Sequence, residues 1–261
     1  MTMLLEDRVA IVSGIGPGMG REIALALARE GADVVLAART QSALDEVAEV
    51  VRAKGRRALT VPTDIAKPDD CRRLADAAQA EFGRIDVLVN NAFLSNPVGP
   101  FAAADLTDWR KMFDVNVFGA LQLTQAVVTH MRPQKRGSIV FINSMSMRII
   151  EPNVGGYAAS KGALMIASQT LARELGADGI RVNSVVPGYI WSPKMEGYFH
   201  HIAKAQGTTY EAVHADITSR TSLRHIPDSA EIADTVVFFA SDLSRVVTGQ
   251  ALDVNGGHFF H

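Results

Sequence analysis

Tyr157 and Lys161 stand four residues apart in Tyr157-Ala158-Ala159-Ser160-Lys161, and on a helix that spacing puts both on one face, one turn apart. A free phenol titrates at about pH 10, too high to trade protons well near neutrality. A neighbouring ammonium stabilises the phenolate and lowers that value. A tyrosine tuned this way suits general acid–base work on a carbonyl/alcohol pair. The spacing alone also describes an ordinary exposed i,i+4 contact. Its company strengthens it: Ser144 comes thirteen residues before Tyr157, and Asn90-Asn91-Ala92 and Asn116 come earlier still.

A second cluster lies near the start of the chain. Ser13-Gly14-Ile15-Gly16-Pro17-Gly18-Met19-Gly20 follows a short apolar run and opens a helical pattern. Its spacing is G-x-x-x-G-x-G over Gly14, Gly18 and Gly20, not G-x-G-x-x-G. A chain that turns sharply there and brings its amides against a pyrophosphate needs glycine, which tolerates positive φ and close backbone contact. The helix N-terminus then offers free N–H groups and partial positive charge to phosphates. Placed between a first strand and a first helix, the turn reads as dinucleotide-binding rather than as a merely tight connection.

The second strand bears on which dinucleotide. NAD-binding sheets usually place a carboxylate at the end of strand two, on the ribose hydroxyls. Asp33 starts that strand, at the wrong edge. The right edge holds Ala37-Ala38-Arg39-Thr40, with no carboxylate to repel a 2′-phosphate and with Arg39 to pair with one. Arg56 and Arg57 enter strand three from the opposite edge. The expectation is NADP(H) over NAD(H).

Alternating elements must position these residues. Strands are expected at Arg8–Ser13, Asp33–Ala38, Arg57–Val61, Asp86–Val89, Ser138–Ile142, Ile180–Val186 and Gln250–Val254. Helices are expected at Gly18–Glu30, Ser42–Lys54, Pro68–Phe82, Leu106 to about His130, Gly156 to about Gly176, and Ser229–Ser241. Between Gly188 and Ser229 the pattern loosens into aromatics, weak helical periodicity and four of the seven histidines, as in a helical lid over residues 189–228. Seven strands with intervening helices imply right-handed crossovers and one α/β domain: a doubly wound, Rossmann-like parallel sheet with helices on both faces, spanning residues 1–261. Ligands of such sheets bind at the carboxyl ends of the strands, and the glycine turn, the asparagines, Ser144 and Tyr157 all fall at that edge.

The 261 residues are 48% hydrophobic and 21% charged, which excludes disordered, collagenous and coiled-coil classes. A net charge of −2 leaves no electrostatic footprint for nucleic acid or an anionic membrane. A lone cysteine, Cys71, forms no internal disulfide, and Glu6, Asp7 and Arg8 interrupt the start too early for a signal peptide. No apolar run approaches a membrane span. A cytoplasmic protein is expected. The histidines form no convincing ligand cluster, so no metal is expected.

Taken together, these motifs resemble the short-chain dehydrogenase/reductase family over essentially the whole chain. The glycine turn, Asp64, Asn90-Asn91-Ala92, Asn116, Ser144, Tyr157-x-x-x-Lys161 and Asn183-Ser184-Val185-Val186-Pro187-Gly188 follow in family order. The resemblance implies Tyr157 as catalytic acid/base, Ser144 holding the substrate oxygen, Lys161 binding the nicotinamide ribose and tuning Tyr157, and Asn116 holding a relay water. It implies adenine contacts from Asp64 and Ile65, ribose contacts from Asn91 and Ala92, and a backbone contact from Ile190 to the nicotinamide amide. Gly14, Pro17, Gly18, Met19, Pro187 and Gly188 complete the implied cofactor set. It also implies a homotetramer or homodimer.

Three positions depart from the family pattern. Phe93 stands where Asn-Asn-Ala is usually followed by Gly, which would bring a ring close to the cofactor. Pro17 stands where many NADP-binding members carry a basic residue. Ser192 replaces a usual Thr, with a hydroxyl that can still bond the carboxamide. Met145, Ser146 and Met147 either line the substrate site or fill the core. Tyr198, Phe199, His200 and His201 either cover an apolar substrate or belong to an amphipathic surface helix. Cys71 reads as a packing residue.

The expected reaction interconverts a ketone and a secondary alcohol, with an apolar substrate of 3-oxoacyl or cyclic/terpenoid type. An NAD-dependent alcohol dehydrogenase is the first alternative. A dinucleotide-binding sensor or scaffold without turnover is the second, and the intact Ser144, Tyr157 and Lys161 set argues against it.

Overall fold

The computed structural model describes residues 3–260. Met1, Thr2 and His261 lie outside the described residues. Seven strands, β1 (Val9–Ser13), β2 (Asp33–Ala38), β3 (Ala58–Pro62), β4 (Val87–Asn90), β5 (Gly137–Ile142), β6 (Ile180–Pro187) and β7 (Ala251–Val254), form one sheet. It runs β3-β2-β1-β4-β5-β6-β7, every neighbouring pair parallel. Each expected strand forms, with its ends displaced by no more than one residue.

Burial on both faces explains why the central strands β1 and β4 read as nearly unbroken apolar runs. In β1, Ala10 and Val12 face one layer with Leu27 of α1 (Met19–Arg29), Leu44 of α2 (Gln41–Ala53) and Phe239, which falls in the last helix. Val9 and Ile11 face the other, with Leu74 of α3 (Pro68–Phe82) and with Leu123 and Leu164. The alternation is the two-residue period of a strand sandwiched between helix layers.

The expected single helix from Leu106 to His130 is two helices. α4 (Leu106–Phe113) passes through a π-helical turn at Asp114–Gly119 into α5 (Ala120–Gln134). Wider i→i+5 bonding shifts the side-chain phase by one residue, too little for apolar periodicity to register. Such turns gather at functional sites, and Asn116 lies within this one. α6 (Gly155–Leu175) follows β5, and α7 (Pro193–Gln206) and α8 (Tyr210–Ser219) fill the loosened region before α9 (Ser229–Ala240). Phe199, buried, joins Val213, Ile217 and Ile226 in a small separate core. His200 stacks on Tyr210, and His214 meets Trp191 edge-on, so these histidines pack against aromatic rings. Tyr198 is half exposed.

Strand order reverses between β1 and β4, where Ser13 pairs with Asn90. The chain leaves both strands there, and the two departures nearly touch. A Cβ on Gly14 (φ +79°) would fall 2.5 Å from Ala92 Cα. A Cβ on Gly20 would fall 2.2 Å from the Gly14 carbonyl oxygen. Gly18 has open space but φ of +129°. Ser13 Oγ accepts the Asn91 N–H (3.2 Å), and Asn91 Nδ2 donates to the Gly14 carbonyl (2.9 Å). The glycine turn is thus locked to β4 by contacts that leave no room for side chains.

Gly20→Ala should cost about 1–3 kcal/mol of stability, because the clash is with backbone that cannot rotate away. Gly16→Ala, with nothing within 4 Å and no positive φ, should leave the urea midpoint unchanged. Equal midpoints for the two variants would contradict the packing described.

Candidate active site

Two cavities flank the glycine turn at the carboxyl edge of the sheet. One, of about 290 Å³, is lined by Gly14, Arg39, Asp64, Ile65, Asn91 and Ala92, together with Phe93. The other, of about 720 Å³, is lined by Pro17, Gly18 and Ser192. Met19, Pro187, Gly188 and Ile190 border neither. Met19 and Ile190 pack against the core, and Gly188 passes over Asn255 and Met145. Asn91 is less free than expected, since its amide holds the Gly14 carbonyl. Asp64 Oδ1 accepts the Ala66 N–H. Ser192 caps α7, its Oγ accepting the Met195 N–H at 3.2 Å, with its own hydroxyl proton still to give.

These residues fit a dinucleotide. Gly18 precedes α1 without any side-chain cap, so first-turn amides remain to meet phosphate. Thr40, before α2, makes no side-chain cap either, and the first turn of α2 holds no acid. Arg39 is exposed there and has no ion-pair partner among the described residues. At the other edge Arg56 pairs with Asp33 at 3.0 Å, so neither is available to a ribose.

The catalytic candidates meet beside this groove. Ser144 ends the β5 connection with an extended backbone and caps a short 3-10 turn. Its Oγ accepts two hydrogen bonds from Ser146, the N–H at 3.2 Å and the hydroxyl at 3.0 Å. Ser144 keeps its own hydroxyl proton to give, and its side chain acts to lower the Tyr157 value. The role of Ser146 in orienting Ser144 was not read from the sequence, although a Ser-x-Ser turn after a strand end is a signal for it.

Lys161 is 2% exposed, and its Nζ donates to the Ile142 carbonyl at 2.7 Å. The same Nζ lies 5.7 Å from the Tyr157 ring centroid and 5.9 Å from that of Phe93. Burial without a carboxylate pushes the Lys161 ammonium down to about 7. Tyr157 lies above the ordinary phenol value, because burial outweighs the lowering by the Ser144 hydrogen bond. The sequence expectation was the reverse. An amine that is itself short of charge gives little help to a phenolate.

Asn116 is held on several sides. Its Oδ1 accepts the Leu94 N–H (2.7 Å), and its Nδ2 donates to the Leu94 carbonyl (2.9 Å) and to Ser160 Oγ (2.9 Å). The side-chain amide therefore ties a loop to α6, with both Nδ2 donors used and one acceptor site of Oδ1 still open. Cys71 is buried, donates its Sγ to the Ile65 carbonyl and is pushed up to about 11, as a packing residue should be. Met145 is buried beneath Gly188. Beyond Tyr157 a cavity of about 350 Å³ is lined by Pro97, Val98 and Trp109, with Asp105 and Asp108 but no basic residue.

The comparisons with known proteins agree with this geometry. Residues 14–258 match a family model described as enoyl-(acyl carrier protein) reductase. An uncharacterized oxidoreductase of Methylorubrum extorquens is 40% identical, over 97% of this chain and 98% of that one. Cis-4-hydroxycyclohexanecarboxylate dehydrogenase of Sinomonas cyclohexanicum is 33% identical, covering 97% and 96%. The crystal structure of carveol dehydrogenase from Mycobacterium avium in complex with NAD superposes with a TM-score of 0.91 at 29% identity, covering 98% of each chain.

Lys161 gives the stability of the free protein a signature in pH. Its folded value of about 7 lies below the unfolded value of 10.5, so the unfolded chain holds the extra proton between them. Stability from this group therefore rises with pH through that window, by about 2–3 kcal/mol between pH 6 and 9. Lys161→Met should remove that slope from the melting temperature. Parallel curves for both proteins would show that Lys161 is not the group responsible.

Proposed function

We propose a reaction from one premise: the chain belongs to the short-chain dehydrogenase/reductase family and is an NAD(P)-dependent oxidoreductase. On our reading it interconverts a neutral, apolar ketone and its secondary alcohol with NADP(H). The observation that carries this is the meeting of Ser144, Tyr157 and Lys161 beside the glycine-turn groove. A bound nicotinamide dinucleotide supplies or accepts the hydride. Tyr157 gives its proton to the substrate oxygen in reduction and takes it back in oxidation. The Ser144 hydroxyl, aimed by Ser146, donates a hydrogen bond to the same oxygen as negative charge develops on it. Lys161 would hold the nicotinamide ribose through its amine, and the proton that Tyr157 gives up in reduction is replaced from solvent.

Arg39 supports NADP(H): an exposed guanidinium with no ion-pair partner among the described residues, beside an uncapped helix start, suits a 2′-phosphate. The NAD reading rests on Pro17, which adds no charge to the turn, and on the carveol dehydrogenase solved with NAD. The Tyr157 cavity, with two aspartates and no cation, suits a neutral substrate over an anionic one. A 3-oxoacyl chain and a cyclic or terpenoid ketone both satisfy that. We assign residues 1–261 to one domain, with residues 189–228 as the substrate lid. We assign the protein to the cytoplasm as a homotetramer or homodimer. Phe118, Ile166 of α6 and Leu252 of edge strand β7 are exposed apolar residues that a second copy would cover.

Tyr157→Phe should lower kcat about a hundred- to ten-thousand-fold while leaving cofactor Kd nearly unchanged. Arg39→Ala should weaken NADPH binding about ten- to a hundredfold and leave NADH unaffected, read by nicotinamide fluorescence. Equal losses for both cofactors would refute the phosphate role of Arg39. Light scattering should give a dimeric or tetrameric mass, and a monomer would reject the assembly.

A further inference from the structure

Phe93 is 55% exposed, yet the backbone on both sides of it is tied down. Before it, the Ala92 N–H donates to Ser13 Oγ at 3.5 Å. After it, Leu94 is held at both its N–H and its carbonyl by the single side chain of Asn116. Asn116 is anchored to Ser160 Oγ, which donates to the Tyr157 carbonyl at 2.7 Å. Phe93 is thus strapped between β1 and the helix that carries Tyr157 and Lys161.

The ring so held lies against the catalytic pair. Its centroid is 6.2 Å from that of Tyr157, tilted by 57°. Lys161 Nζ lies within cation–π range of both rings, at 5.9 Å and 5.7 Å. Phe93 is the outer layer and Lys161, at 2% exposure, the inner one.

We propose that Phe93 is a positioning residue that acts through Lys161: clamped by Asn116 and Ser13, its ring closes the water path to the lysine amine and holds that amine against Tyr157. The kinetic side of this inference rests on the reaction proposed above. The groups facing the amine are Tyr157 from α6, the Ile142 carbonyl from β5 and Phe93 from the β4–α4 loop. None is a carboxylate. Two effects of the ring oppose each other: its π face favours an ammonium, and its exclusion of water disfavours one. On this proposal exclusion is the larger effect, in line with burial as the cause that lowers Lys161 to about 7. Opening the path should therefore raise the proton affinity of the amine.

The test is the NMR titration of lysine labelled with 13C at Cε, in the free protein. The chain has seven lysines, and Lys161→Arg assigns the resonance. In Phe93→Gly the Lys161 midpoint should rise by at least about one pH unit, a tenfold gain in proton affinity. Phe93→Leu, which keeps apolar cover, should move it by less than half as much. The pH profile of kcat/KM should move in the same direction in each variant. An unchanged midpoint in folded Phe93→Gly would overturn the proposal. So would equal shifts in the two variants, since apolar cover is what the proposal asserts. The titration needs neither cofactor nor substrate, so a chain without oxidoreductase activity would sink the proposed reaction and leave this test intact.

Discussion

Everything at the carboxyl edge depends on how closely the ends of β1 and β4 approach. Gly14 sits against Ala92, and Gly20 against the Gly14 carbonyl, at separations that admit no side chain. Ser13 and Asn91 complete the junction with hydrogen bonds across it. Their effect reaches beyond the turn. The direction of α1, and so the place where its uncapped amides face, follows from the turn. The direction of the chain after β4 follows from its other half, and that segment carries Ala92, Phe93 and Leu94 toward Tyr157. One backbone contact therefore sets the cofactor cradle and the wall of the catalytic pocket together. A looser junction would leave each of these to be fixed separately.

The second constraint is electrostatic. Lys161 is a buried cation with no carboxylate, held by one carbonyl and two aromatic faces. Cation–π contacts contribute about 0.5–2 kcal/mol. Burial lowers Lys161 to about 7, roughly 5 kcal/mol against the charged form. The free protein thus keeps Tyr157 raised and protonated and brings Lys161 down to where it gains and loses its proton near neutrality. A site in this condition responds strongly to any hydroxyl or phosphate brought near it, because little charge is already committed to a partner.

The central strands β1, β4 and β5 were legible because burial on both faces leaves them nearly all apolar, and their ends because glycine or asparagine follows. The glycine turn and the Tyr157-x-x-x-Lys161 pair were legible because turn strain and helix pitch are local matters. What escaped reading depended on distant partners. The π turn at Asp114–Gly119 changes helix phase by one residue and leaves no mark in composition. The Asn116 amide looked free until Leu94 and Ser160 came to it across the fold. The direction of Tyr157 was misjudged because helix spacing reports a nearby amine but not the burial of the phenol and the amine themselves.

The two edges of the sheet differ in how their charges are satisfied. At the amino edge Asp86 pairs with Arg8 and Arg84, Asp242 with Arg8 and Arg136, and Asp33 with Arg56. Arg181, part-buried among them, donates to Ser244 Oγ and to the Phe239 and Ser241 carbonyls at the end of α9. Those charges are consumed within the fold. At the carboxyl edge Arg39 and Lys161 have no carboxylate among the described residues, and the starts of α1 and α2 have no side-chain caps. Leaving such groups unpaired lowers stability, and a fold tolerates it where a ligand completes them. Stability is therefore concentrated at one edge and binding capacity at the other, and the sheet between them keeps both in register.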